Sequence, residues 1–128
     1  MELYSAIDIS FIDMDMPKRK LDPLPSAAFH ILLALAGGEM HGYAIMRQVE
    51  EQTGGRMRMG PGTLYGSIQT LLEEKLIEEV GRNGQGEDRR RCYRLAAAGR
   101  KMARLEAERM AELLRAARTS RIFRGDYV

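Results

Sequence analysis

Five arginines, Arg82, Arg89, Arg90, Arg91 and Arg94, gather on both sides of a polar tip, Asn83-Gly84-Gln85-Gly86-Glu87-Asp88. Guanidinium groups on extended backbone suit phosphate oxygens, which they neutralise singly or by paired hydrogen bonds. For a basic strand in isolation a solvated surface is the commoner role. Here the run directly follows a helical segment with a small, polar outer face, and contact with a phosphate backbone or a minor groove is favoured. Catalytic chemistry is not assembled. His30 sits inside an apolar helical run and His41 opens the next helix, so neither offers a base to a serine or cysteine nucleophile. Glu73-Glu74, Glu78-Glu79 and Glu87-Asp88 fall on solvent faces or loops, and Gly84 and Gly86 lack the strand, loop and lysine of a phosphate cradle. No enzyme, cofactor or metal site is expected. Cys92, the single cysteine, has no partner for a disulfide or a metal and reads as a quiet, half-buried strand residue rather than a redox sensor.

The elements that must position these arginines can be followed along the chain. Pro17, Pro23 and Pro25, with Lys18-Arg19-Lys20, mark a linker after an unassigned arm of acids and apolar residues. Ser26 is the expected N-cap of a buried helix over 27–36, apolar all round and stopped by Gly37-Gly38. His41-Gly42-Tyr43 opens a second helix, whose stripe of Ile45, Met46, Val49 and Thr53 opposes Arg47, Gln48, Glu50 and Glu51. Over 62–74 the apolar residues Leu64, Ile68, Leu71 and Leu72 follow the i, i+4, i+7, i+8 pattern, so Thr63, Gly66, Gln69, Thr70 and Glu73 face outward. Tyr65 lies at the border of that stripe, where its ring can pack while its hydroxyl reaches a phosphate. Strands are expected over 76–82 and 89–95, with Tyr93 and Leu95 on one face. A last helix over 97–118 collects Met102, Ala103, Ala107, Met110, Leu113, Leu114 and Ala117 on one side. Glu106 falls on that side too and needs an arginine, expected across a dimer interface.

At 128 residues the chain fits one domain of modest core, near the size at which small domains gain by pairing. The net charge of +2 decides little. Glu2, Asp8, Asp13 and Asp15 all precede the first basic residue, Lys18, so the remainder is more basic than that figure. No apolar run is long enough to cross a bilayer, and a cytoplasmic location is expected.

The fold class read from these elements is mainly α with a two-stranded β wing: a winged helix-turn-helix followed by a long C-terminal dimerisation helix. It divides into an arm and linker over 1–21, the winged domain over 22–96, the helix over 97–120 and a tail over 121–128. His41-Gly42-Tyr43, Gly60-Pro61-Gly62-Thr63-Leu64-Tyr65, Leu71-Leu72 with Leu76-Ile77, and Arg89-Arg90-Arg91 with Tyr93-Arg94-Leu95 and Gly99 resemble the PadR-like transcriptional regulators. Four such pieces in order make the resemblance specific, and the single C-terminal helix resembles the smaller subfamily. The resemblance implies a dimeric repressor of its own or a neighbouring operon that binds double-stranded DNA at a pseudo-palindromic operator. Thr63, Tyr65, Gly66, Gln69 and Thr70 would supply the recognition helix, and Arg82, Arg89, Arg90, Arg91, His41 and Tyr43 the wing and backbone contacts. Met102, Ala103, Met110, Leu113, Leu114 and Ala117 would form the homodimer. The resemblance also implies a small-molecule effector at the dimer interface; without tryptophan, the stacking platform some members use is missing and the ligand class stays open. Ala96 stands where the family usually caps its last helix with threonine. The arm before residue 17 is longer than family members usually carry. The alternative is a winged-helix protein-interaction module that binds an acidic protein partner.

Overall fold

Prolines and glycines punctuate the first half of this chain: Pro25 precedes the first helix, Gly42 and Pro61 open the next two, and Gly37-Gly38 and Gly54-Gly55 follow two of the helix ends. The computed structural model describes residues 24–83 and 90–123, without the side chains of Arg82 and Asn83. The expectations for the arm and linker, for Arg89, for the rest of the wing tip and for 124–128 therefore lie outside the described residues.

Helix α1 (Ser26–Leu35) is capped by Pro25, in extended geometry, and not by Ser26. Proline suits this place because its fixed φ is extended and a cap needs no amide donor here. Ser26 instead offers its carbonyl oxygen to His30 Nδ1 at 2.8 Å. The helix buries Ala28, Phe29, Ile31, Leu32, Ala34 and Leu35. It is not buried all round, however: Leu33 is 46% exposed and His30 is half-buried.

Strand β1 (Met40–His41) leads directly into helix α2 (Gly42–Gln52), and helix α3 (Pro61–Glu73) follows an eight-residue connection. In that connection Gly54 and Gly55 adopt positive φ, while Thr53 Oγ1 donates to the Val49 carbonyl at 2.9 Å and accepts from the Met57 amide at 3.0 Å. Pro61 at the first turn of α3 costs no hydrogen bond, since the first amides of a helix have no internal acceptor. The far end of α3 closes by two backbone bonds, Lys75 N to Leu72 O at 3.0 Å and Leu76 N to Leu71 O at 2.9 Å, with Lys75 in the left-handed region at φ 61°.

Strands β2 (Ile77–Asn83) and β3 (Arg90–Leu95) form the wing. Their antiparallel register pairs Ile77 with Leu95 and Arg82 with Arg91, and shifts between Glu79 and Gly81. The sheet has three strands in the order β1-β3-β2, because Met40 and His41 pair with Tyr93 and Cys92. Cys92 is buried rather than half-buried, and its Sγ lies 3.7 Å from the Arg90 carbonyl oxygen.

One core joins α1, α2, α3 and the sheet, with Ile31, Leu32, Leu35, Ile45, Val49, Leu64, Leu71 and Ile77 fully buried. Helix α4 (Ala97–Thr119), followed by a 3-10 turn over Arg121–Phe123, has no side-chain cap at Ala96. The Leu76 carbonyl anchors its start instead. That oxygen accepts the Ala96 amide at 3.0 Å, and Gly99 packs so closely on it that a β-carbon would overlap the oxygen. No helix among the described residues is long and apolar enough to cross a membrane.

Candidate nucleic-acid interface

The expected contact residues divide between two clefts: Tyr65 of α3 meets His41, Tyr43, Arg90 and Arg91, whereas Thr63, Gly66 and Thr70 line another with Pro25 and Ala28. Helix α3 presents Thr63, Tyr65, Gly66 and Gln69 to solvent, with Thr70 half-buried. The Thr70 hydroxyl donates back to the Gly66 carbonyl at 3.1 Å, and Gln69 Nε2 lies 3.3 Å from Glu73 Oε2. Glu73 thus lies where it can orient the Gln69 amide. Beside this face, His41, Gly42, Tyr43, Tyr65, Arg90, Arg91 and Tyr93 line a cleft of about 340 Å³. Sequence spacing alone could not have joined His41 to Arg90, since 49 residues separate them. The short strand β1 does so by pairing with β3.

The basic residues are not equivalent. Arg94 is held by Glu78, its neighbour across the sheet, with Nε 2.8 Å from Oε1, and Arg91 Nε lies 3.9 Å from Glu79 Oε2. Such exposed pairs contribute about 0–1 kcal/mol but draw charge away from other partners. Arg90 meets a different group: its Nη1 stands 3.4 Å from His41 Nε2. Arg82 shares the wing backbone register with Arg91, while its side chain and all of Arg89 fall outside the described residues. Tyr43 is exposed, with the Arg47 guanidinium 5.8 Å above its ring centre.

Tyr65 is 51% exposed, yet its ring is seated on Gly42, where a β-carbon would stand 2.6 Å from the hydroxyl oxygen. The residue at position 42 therefore controls where that hydroxyl sits. Gly42→Ala is expected to leave the unfolding free energy from urea titration within about 1 kcal/mol of the parent, because an exposed ring can swing aside, while shifting the Tyr65 ring resonances in NMR spectra. Global unfolding, or an unmoved ring, would contradict this.

His41 caps α2, its Nδ1 accepting the Ala44 amide at 3.1 Å. Burial, and then the nearby Arg90 cation, hold its pKa below the ordinary imidazole value of 6.5. On acidification the unfolded chain therefore takes up this proton first. The stability His41 contributes is whole above about pH 6.5 and falls as the pH drops from there towards the lower folded-state pKa. Thermal melts at about pH 7.5 and about pH 5 should show a larger loss for the parent than for His41→Asn. Equal losses would absolve the histidine.

Of the expected dimer residues, Met102 and Ala103 pack against the core of their own chain, whereas Met110, Leu113 and Leu114 are exposed and Ala117 is half-buried. Glu106, expected to pair across an interface, is bound by Arg109 one turn further along the same helix, with Nε donating to Oε1 at 3.0 Å. That contact holds the Glu106 carboxyl below its usual pKa.

Residues 31–105 match the family model described as the Transcriptional regulator PadR-like family. The chain belongs to this PadR-like family. The family is one of transcription regulators rather than enzymes. Among curated proteins, the chain is 40% identical over 83 residues to an uncharacterised 37.1 kDa protein in transposon TN4556 of Streptomyces fradiae. The match covers 65% of this chain and 22% of that protein, so the chain spans about a fifth of that relative. A PadR family transcription regulator from Clostridium difficile R20291 is similar with a TM-score of 0.66 and 21% identity, over 74% of this chain and 97% of that one. Bacillus subtilis PadR, whose structure is in complex with operator DNA, gives a TM-score of 0.56 and 21% identity, over 62% of this chain and 46% of that one. At these identities the likeness is one of fold, the PadR winged helix.

Proposed function

We propose that this PadR-like chain binds double-stranded DNA in a sequence-specific manner, as a cytoplasmic homodimer, and represses its own or a neighbouring operon. One observation carries the reading. Tyr65, on the exposed side of α3, shares a cleft with His41, Tyr43, Arg90 and Arg91, so a groove that holds α3 would bring its adjoining phosphates to that cleft. Tyr65 and the wing arginines would hold the backbone, and Thr63, Gly66 and Gln69 would lie against the major groove. The operator complex of B. subtilis PadR, a protein of similar fold, supports operator DNA as the ligand. The open stripe of α4 supports the homodimer, which would read two half-sites about one helical turn apart. An effector lodged between the two α4 helices would release DNA if it favoured a spacing that no longer fits both half-sites.

The test is selection of duplexes from a random-sequence library, followed by fluorescence anisotropy over a range of salt concentrations. A recovered site with steep salt dependence is expected. Arg90→Ala should weaken all duplexes and flatten the logarithmic salt slope by about one phosphate's worth, whereas Gln69→Ala should relax preference at particular base pairs. Weak binding without preference would turn the reading to a module for an acidic protein partner.

A further inference from the structure

The meeting of His41 and Arg90 is chemically unusual. An imidazole nitrogen that accepts a hydrogen bond carries no proton, and Nδ1 accepts from the Ala44 amide. In the neutral ring the proton must then sit on Nε2, which makes that atom a donor. The depressed pKa of His41 agrees with a neutral ring. Arg90 offers only donors at any accessible pH. Two N–H groups therefore face each other across 3.4 Å at the surface. Both line the cleft, as does Tyr65, whose hydroxyl lies over Gly42, the residue next to His41.

Neighbouring groups do not resolve this conflict. Glu79 leans towards Arg91, Glu78 holds Arg94, and Tyr93 brings a hydroxyl whose pKa burial raises. An acceptor that serves both donors needs lone pairs in several directions, and beside the Arg90 cation an anionic oxygen binds more strongly than a neutral one. An oxygen of a tetrahedral phosphate fits.

We propose that His41 Nε2–H and the Arg90 guanidinium form a two-donor seat for one phosphodiester oxygen of the DNA backbone, which the Tyr65 hydroxyl completes. This rests on the DNA-binding reading above and refines it. The three side chains come from the start of α2, from β3 and from α3, so one phosphate ties the wing to the recognition helix and fixes the register of α3 along the groove.

His41→Asn is the informative variant, because asparagine retains an oxygen to cap α2 while removing the Nε2 donor. Its melting temperature at neutral pH should match the parent's, while its affinity for the selected duplex falls about tenfold or more, as expected when a hydrogen bond to a charged group is lost. Single methylphosphonate substitutions scanned along the duplex should reveal one phosphate per half-site whose neutralisation weakens the parent but leaves His41→Asn nearly unaffected. Parent-like affinity in the variant, or losses that add at every phosphate, would overturn the seat while leaving DNA binding intact. Failure of the parent to bind any selected duplex would overturn both.

Discussion

Gly99→Ala is expected to cost the domain about 2 kcal/mol, although alanine is the better helix former by about 1 kcal/mol. Gly99 is the third residue of α4, and a β-carbon there would overlap the Leu76 carbonyl oxygen and stand 3.0 Å from Leu95 Cδ1. The obstacle is backbone, and that oxygen already accepts the Ala96 amide. It therefore cannot yield as the exposed Tyr65 ring can yield beside Gly42. Overpacking of this kind costs about 1–3 kcal/mol and can exceed that when backbone must move, which outweighs the propensity gain. Urea unfolding should show a lowered midpoint with little change in slope. A variant as stable as the parent would mean that α4 is not held as described.

The second large effect concerns the open half of the same helix. At about 100° per residue, Gly99, Met102, Ala103, Glu106, Met110, Leu113, Leu114 and Ala117 fall on one side. The first three meet the chain's own core, but Leu113 is 55% and Leu114 46% exposed. Taking a leucine from full exposure to full burial stabilises by about 1.5–3 kcal/mol, so four half-exposed ones in a symmetric pair would contribute roughly 3–6 kcal/mol, about two to four orders of magnitude in dissociation constant. The double variant Leu113→Glu, Leu114→Glu should sediment as a monomer at micromolar concentration and lose operator affinity by a hundredfold or more. Its far-ultraviolet dichroism should be unchanged, since neither side chain supports the single chain. A variant that stays dimeric would move the interface elsewhere.

Periodicity made α2, α3 and α4 legible, because each has an apolar face repeating at helical spacing and a wing needs only two extended runs around a polar tip. It gives a face, not what covers it. Met102 and Leu113 look alike in the pattern, yet one is seated in its own core and the other is open. Leu33 looked as buried as Leu32 in an apolar run. Strand β1 has two residues and so no period, and it was found only through its partners on β3. The cleft depended on that strand: His41 and Arg90 were each visible as candidates, but their meeting is a product of sheet register. The roles of Gly42 and Gly99 arise from neighbours distant in sequence, and no local pattern carries them. Glu106 had its partner in plain view three residues on, at ordinary helical spacing.

The division of α4 also makes it a lever. Its last residue seated in the chain's own core is Ala103, and from there to Leu113 the helix runs about 15 Å at 1.5 Å per residue. A bend of about 10° beyond Ala103 would carry Leu113 through roughly 3 Å, comparable to the spacing of one base pair. In a paired molecule the same bend, read backwards from joined helix ends, would swing each winged domain about that point.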